Sequence, residues 1–324
     1  MKLKKYYILI TIILLVSVSV SSQVRVGNFR TSMLKFKKLK KKTISRFKEK
    51  TTKFILPDFY AKEEYERILN EVWDVTPFEV ILLNDFDENM VDYGDALAQF
   101  VSRCYSKGGG ITDGNGFRKF ESFHVYFCTI NFMLVDEINK KSRTSTLNLR
   151  GSNVGSIYFS RDLDAPVSHN HDKDNGLFLP VENKEPINNF RLGYLKNYLQ
   201  LTNRLIKNEK SFDIYEDFVD PQLKELKEKT LYIDDEFEIP PRVMENYSFK
   251  YKFVSYNEIE EMINDKKSPE FYYFRYHFVN EQKILIITNG KNGDIVYQKD
   301  KWAIFGYTER DFKVISSKIK NLNK

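Results

Sequence analysis

The chain contains few of the residues on which disulfide-rich and metal-binding proteins depend. Its 324 residues include only 2 cysteines and 4 histidines, with 14 glycines and 9 prolines. Two cysteines exclude a disulfide scaffold and a cysteine-rich zinc site, because a structural zinc usually takes four ligands. The low glycine and proline content argues against long disordered or collagen-like stretches. The remaining composition is globular, with 42% hydrophobic and 30% charged residues, and suits one large or two ordinary domains.

Long hydrophobic runs are also missing, and the one short run stands near the N-terminus. Lys2, Lys4 and Lys5 precede the apolar stretch 6–16, and serines follow it up to Ser22. This is the pattern of a secretory signal peptide, and the run is shorter than the roughly 20 residues that cross a bilayer as a helix. We therefore predict a cleaved signal peptide over residues 1–22, no transmembrane span after cleavage, and a secreted or periplasmic location.

Positive charge is concentrated directly after this segment. Residues 23–53 hold twelve lysines and arginines against Glu49 alone, whereas the whole chain has 51 cationic and 45 acidic residues. Residues 23–50 are predicted to form a basic N-terminal arm, either an irregular helix or a solvated tether. Such a density of cations suits an anionic lipid surface, and export favours that partner over nucleic acid. The candidate contact residues are Lys37, Lys38, Lys40, Lys41, Lys42 and Arg46.

Residues 51–188 are predicted to form a first α/β domain. A strand over 53–56, an amphipathic helix over 62–73 and a buried strand over 78–83 make a βαβ unit with parallel strands. Segments 96–105 and 123–135 then form an antiparallel hairpin around a glycine-rich turn. That turn leads into a strand, which favours a hairpin tip over a phosphate-binding loop. A further strand is predicted over 155–159, followed by a long polar loop over 160–189.

A helical linker over 189–228 and a second α/β domain over 229–324 follow. Strands are predicted over 230–233, 251–254, 271–278, 283–288 and 295–298, with Thr308 and Asp311 capping the last helix. Thr52 to Ile55 align with Thr230 to Ile233, and Phe78 to Ile81 then fall beside Tyr251 to Val254. A duplication would explain this, although unrelated βαβ units also look alike. The predicted fold is therefore two small α/β domains with mixed sheets flanked by helices.

Two resemblances add to this interpretation. The order of elements over 229–324, with Ser268-Pro269 before Phe271, resembles a thioredoxin-like domain. No Cys-x-x-Cys is present, so this resemblance implies a fold and not thiol–disulfide chemistry. The chain as a whole resembles exported two-domain proteins of Bacteroidetes type, which implies location and architecture but no activity. The motifs behind that second resemblance are Ser22-Gln23, Thr51-Thr52-Lys53-Phe54, Trp73 with Thr76-Pro77, Leu195-Lys196-Asn197-Tyr198 and Lys229-Thr230-Leu231-Tyr232-Ile233.

One segment clusters residues that bind metals. His169, His171, Asp172 and Asp174 could together hold Zn²⁺ or another divalent ion. The segment lacks the spaced third ligand of zinc motifs, and read as a calcium loop it places Gly176 at position 5 instead of 6. The alternative is a polar surface loop.

The two cysteines, Cys104 and Cys128, lie on the two arms of the predicted hairpin. Pairing them would centre the hairpin on residue 116, inside the turn, so a disulfide is geometrically allowed in an oxidising compartment. The alternative is two buried free thiols.

Recognisable catalytic motifs are missing from the sequence. It has no Gly-x-Ser-x-Gly and no His-Glu-x-x-His, and the acidic run Asp234, Asp235, Glu236 and Glu238 is typical of a solvated loop. We expect an exported, non-catalytic binding or structural component of the cell envelope, without a cofactor. Its partner would be an anionic envelope surface or another envelope protein. The alternative is a metal-dependent enzyme centred on His169 and His171.

Overall fold

Two six-stranded mixed β-sheets flanked by helices form the frame of this α/β protein. The computed structural model describes residues 24–27, 40–112, 118–139, 148–160, 189–214, 216–279, 282–302 and 306–322. The predicted fold class is confirmed.

The first sheet has the strand order β1-β6-β5-β4-β2-β3. Strand β2 pairs in parallel with β3 and β4, and the remaining pairs are antiparallel. The predicted βαβ unit and hairpin are both present, and the hairpin strands extend further than predicted. The strands are β1 (Val24–Val26), β2 (Thr52–Leu56), β3 (Phe78–Leu82), β4 (Ala96–Thr112), β5 (Arg118–Asn139) and β6 (Asn148–Ser160), and the helices are α1 (Lys41–Lys48), α2 (Lys62–Val72) and α3 (Leu192–Lys207).

The second sheet has the strand order β7-β12-β11-β10-β8-β9. A 3₁₀ helix, Pro221–Lys227, precedes it, and the Asp220 side chain caps that helix by accepting from Gln222 N at 2.8 Å. The last helix begins with the predicted capping box of Thr308 and Asp311. The strands are β7 (Phe218–Val219), β8 (Leu231–Asp234), β9 (Tyr251–Val254), β10 (Tyr272–Val279), β11 (Gln282–Asn289) and β12 (Ile295–Trp302), and the helices are α4 (Pro241–Met244), α5 (Tyr256–Asn264) and α6 (Glu309–Asn321).

The two sheets are copies of one arrangement. Adding six to each strand number of the first sheet gives the order of the second, and each corresponding pair runs in the same direction. Each sheet also has a register shift at the same place, between Phe132 and Met133 on β5 and between Ile287 and Thr288 on β11. β-Bulges are conserved in position within protein families. The shared bulge therefore supports the duplication suggested by the sequence.

The structure corrects the sequence alignment of the halves by one residue in one strand. Thr52 pairs with Phe78 and Ala96, whereas Leu231 pairs with Tyr251 and Tyr272. Leu231, and not Thr230, therefore occupies the place of Thr52, while the alignment of Phe78 with Tyr251 is correct. A slip of one residue moves every side chain of a strand to the opposite face of its sheet, so the corrected register decides which residues correspond.

Helix α3 lies between the two sheets. One hydrophobic core joins its apolar residues to Phe54 and Phe132 of the first sheet and to Tyr273 and Ile286 of the second. A second core lies between the other face of the second sheet and helices α4 and α6. Thirteen of the sixteen residues of α3 are buried. The segment predicted as a helical linker thus begins with the central helix of the protein, and its burial ties the two units together.

Helix α3 also binds the turn between β11 and β12. The Asn197 side chain donates to the Gly290 carbonyl at 3.2 Å, and Arg204 donates to the Asn292 carbonyl at 3.1 Å and pairs with Asp294. Gly293 has a φ of +72°, and a Cβ placed there would clash with the backbone carbonyl oxygen of Asn197. The turn therefore needs glycine both for its backbone conformation and for its close approach to α3.

Substituting Gly293 by alanine tests this contact. We expect Gly293→Ala to lower the free energy of unfolding by about 2–4 kcal/mol, because it adds overpacking to left-handed backbone strain. The matched control is Gly94→Ala, where φ is +86° and no atom lies within 4 Å of the added Cβ. Urea unfolding of both variants separates the two effects. Equal losses would show that α3 does not hold the turn closely.

Candidate functional site

An open cleft lies between α2 and α5. Its volume is about 630 Å³, and Leu192, the first residue of α3, is part of its lining. Four carboxylates and one guanidinium line it, so its charge is negative. The lining residues are Glu64, Arg67, Leu192, Asn257, Glu260, Glu261, Asn264 and Asp265.

The absence of a side chain at Gly193 brings the helices together at this cleft. A Cβ at Gly193 would lie 3.2 Å from Cγ of Glu260, and the Gly193 N–H donates to the Tyr256 hydroxyl at 2.9 Å. Lys196, one turn along α3, lies 2.7 Å from Oε2 of Glu71 and donates to Oδ1 of Asn264 at 3.2 Å. Lys196 therefore links α2 to α5, near the cleft residue Asn264.

The electrostatics of the cleft suit weak attraction of cationic groups. The hydrogen bond from Lys196 is the largest of the effects that hold the pKa of Glu71 below its ordinary value. That carboxylate is therefore a charged structural partner and not a proton donor. The cleft is shallow and open to water, which screens its remaining charges.

The predicted basic contact residues are only partly within the described residues. Lys37 and Lys38 lie outside them, whereas Lys40, Lys41 and Lys42 are exposed where α1 begins. Arg46 has an ion pair with Asp136 at 3.5 Å. Lys40, Lys41 and Lys42 are therefore three adjacent exposed lysines at the surface of the first unit. The nearby Arg46 and Lys48 are each engaged in a surface ion pair.

The interpretation of residues 23–50 as one irregular helix or a solvated tether does not hold for residues 24–26, which form strand β1, whereas residues 41–48 are helical. Val24 and Val26 are buried in β1, and Ile44 and Phe47 of α1 belong to the main core. Burial of these side chains outweighs the repulsion among nearby lysines, because each contributes about 1.5–3 kcal/mol. The cationic segment is thus fixed to the first unit at both ends.

The predicted metal ligands His169, His171, Asp172 and Asp174 lie outside the described residues, so the metal site stays a prediction. Within the ranges that the structure describes, no group of three or more His, Cys, Asp or Glu side chains is placed to hold a metal. In the same ranges, no helix is long and apolar enough to cross a membrane.

The possible disulfide also stays a prediction, since the side chain of Cys104 is outside the described residues. Cys128 is buried. Cys104 lies opposite Tyr126 and Cys128 opposite Ser102, which makes the cysteines diagonal neighbours and not a direct pair. Thr112 pairs with Arg118, so the hairpin is centred on residue 115 and not on 116.

The acidic run after β8 has structural roles. Asp234 is buried and accepts a hydrogen bond from the Tyr194 hydroxyl at 2.8 Å. Burial raises the pKa of Asp234, and the bond from Tyr194 partly opposes this. Glu236 accepts two bonds from Arg191, both at 2.9 Å. These two carboxylates therefore hold α3 to the second sheet, and the interpretation of the run as a purely solvated loop is wrong for Asp234.

A buried polar cluster around Arg275, between α3 and the second sheet, was not predicted. The Arg275 guanidinium lies 4.3 Å from the ring centroid of Tyr198 and 5.3 Å from that of Tyr273. His277 is fully buried, and its Nδ1 lies 3.2 Å from the Asn189 side-chain nitrogen. Burial, followed by the charge of Arg275, lowers the pKa of His277 well below its ordinary value. The alternation of Arg275 and His277 along β10 is the sequence signal that could have indicated this face.

Comparison with models of known protein families, with curated proteins and with solved structures gave no match for this chain. The resemblances to thioredoxin-like domains and to exported proteins of Bacteroidetes type therefore stay predictions.

Proposed function

We propose that the protein is an exported, non-catalytic component of the cell envelope that contacts an anionic surface through its lysine-rich segment. The observation that carries this proposal is the position of Lys40, Lys41 and Lys42, which are exposed while Ile44 and Phe47 beside them are buried in the core. A cluster of cations on a rigid body binds an anionic lipid surface with about 1 kcal/mol per charge.

Export is supported by the position of the first strand. Val24 is buried in β1, two residues after the predicted cleavage position at Ser22. Cleavage there would leave every described element intact, and pairing with β6 would order the new N-terminus.

The non-catalytic role is supported by how the buried ionisable groups are used. Asp311 pairs with Lys283, and Asp234 with Tyr194. A general acid or base must come within hydrogen-bond distance of a substrate, and these groups bind internal partners instead.

Lysine substitutions test the proposed contact better than deletion, because deletion of residues 23–50 would remove β1 and two core side chains. We expect replacement of five lysines by glutamine to weaken binding to vesicles of phosphatidylcholine and phosphatidylglycerol about a hundredfold or more. Co-sedimentation at low and high salt measures this effect. The substituted lysines are Lys37, Lys38, Lys40, Lys41 and Lys42.

The matched control replaces five lysines elsewhere on the surface and should bind like the wild type. Equal binding by the two five-lysine variants, or binding to pure phosphatidylcholine, would contradict the proposal. Cell fractionation tests export separately: the intact precursor in the soluble cytosol would contradict that part. The control lysines are Lys224, Lys266, Lys267, Lys313 and Lys318.

A further inference from the structure

The two units differ most where a crossover helix covers an edge strand. In the first unit, the eleven-residue helix α2 connects β2 to β3, whereas the corresponding helix α4 has only four residues. The pairing registers make Val80 of β3 equivalent to Phe253 of β9. Val80 is 1% exposed and Phe253 is 38% exposed. At this position the shorter helix thus leaves an apolar side chain uncovered in the second unit.

Strand β9 combines this apolar surface with an available sheet edge. Tyr251 is 40% exposed, and its ring centroid lies 5.8 Å from that of Phe253. Among the described strands, β8 is the only partner of β9 and β2 is the only partner of β3, so each lies at the end of its sheet. An exposed edge strand with large apolar side chains is a template for pairing with another chain.

The two edges have complementary sequences. In an antiparallel pair, Glu79 of β3 would lie opposite Lys252 of β9, and the apolar residues Phe78 and Val80 would lie opposite Phe253 and Tyr251. Opposite charges and aromatic pairs directly across a sheet are each stabilising by about 0.2–1 kcal/mol. Glu79 is exposed, and Lys252 has only a surface ion pair with Glu258 at 3.4 Å.

The charges also discriminate between the ways in which two copies could meet. In the register centred on the charged residue, pairing β9 with β9 about a twofold axis would place Lys252 opposite Lys252, and pairing β3 with β3 would place Glu79 opposite Glu79. Like charges directly opposite each other destabilise a strand pair. The favoured contact therefore uses two different edges, and such a head-to-tail contact repeats from copy to copy.

From this complementarity we infer that copies of this chain associate head to tail, with strand β3 of one copy pairing antiparallel with strand β9 of the next. The partner is a second copy of the chain, and the joined sheets continue across the contact. This inference goes beyond the proposed function, since it depends neither on export nor on lipid binding.

Two charge-reversal variants test the inference, because each alone should associate weakly while their mixture should associate. The mass of the purified wild-type protein in sedimentation velocity should increase with concentration. Glu79→Lys alone and Lys252→Glu alone should each weaken association about tenfold or more, because each brings like charges together. An equimolar mixture of the two variants should associate again, since each copy then meets a complementary edge on the other.

A control variant with Glu63→Lys and Lys313→Glu reverses one acid and one lysine away from both edges and should associate like the wild type. Circular dichroism establishes that each variant is folded. If Lys252→Glu does not fold, Phe253→Ser in its place should give the same loss. Its mixture with Glu79→Lys should then form dimers and no longer chains, since only one unaltered β3 edge and one unaltered β9 edge remain to pair. A wild-type protein that stays monomeric, or single variants that associate as the wild type does, would overturn the inference. A mixture that stays monomeric would do the same.

Discussion

Replacing Asp311 by asparagine is expected to lower the free energy of unfolding by about 3–5 kcal/mol, because it leaves a buried lysine without its counter-ion. The side chains of Lys283 and Asp311 are both 0% exposed, and their charged atoms lie 2.7 Å apart. Lys283 also donates to the Gly306 carbonyl at 2.8 Å, which cannot neutralise its charge. Asparagine keeps the volume and one oxygen of Asp311. The decrease in the free energy of unfolding therefore measures mainly the removal of the negative charge.

The matched second variant adds Lys283→Met to Asp311→Asn. Replacing both partners of a buried ion pair is often close to neutral, so this double variant should recover most of the loss. The first unit offers a precedent, since the registers place the uncharged Cys128 at the position of Lys283. Urea unfolding measures all three proteins. A double variant that is as unstable as Asp311→Asn would assign the loss to packing or capping instead.

The same pair predicts a pH dependence. Burial raises the pKa of Asp311, but the bonds from Lys283, Lys301 and the Thr308 N–H outweigh burial and leave the pKa below its ordinary value. The stabilisation is therefore complete above the unfolded-state pKa and is lost as the pH falls through the lower folded-state value. The difference between the wild type and Asp311→Asn should disappear over that acidic range.

The second large effect concerns His277. The free energy of unfolding of the wild type should fall between neutral pH and pH 5, and replacing His277 by valine should remove much of that fall. The unfolded chain takes up a proton near the ordinary pKa of 6.5, while the buried imidazole stays neutral. The unfolded state then binds more protons, so stability falls by about 1.4 kcal/mol for each pH unit below that value. Between pH 7.5 and pH 5, the wild type should lose about 2 kcal/mol more than His277→Val.

Valine is a reasonable substitute because Val101 occupies the corresponding position in the first sheet. Urea unfolding at pH 7.5, 6.5 and 5 measures the slope, and the value at pH 7.5 gives the packing difference between the two proteins. The groups around the imidazole include Asn189, Tyr198 and Arg275. If the free energy of unfolding of both proteins changed equally with pH, the folded His277 would take up its proton over the same pH range as the unfolded chain.

Most of the regular elements could be predicted from local patterns. The strand β3 and the helix α2 follow from runs of apolar residues, and the turn after β11 follows from its asparagines and glycines. The edge strands β1 and β7 could not be predicted, because three and two residues are too short for a periodic pattern. The many basic residues of segment 23–50 predicted a solvated chain, so the burial of Ile44 and Phe47 in the core could not be predicted either.

The sequence by itself determined the α/β class and the approximate bounds of the βαβ units, because these depend on interactions between neighbouring residues. Only the tertiary structure decided that α3 lies between two sheets, that Arg275 and His277 face its tyrosines, and that β9 lacks a covering helix. These features join residues far apart in the chain. Their energies come from burial and from charge pairing, which depend on the neighbours in space and not on those in sequence.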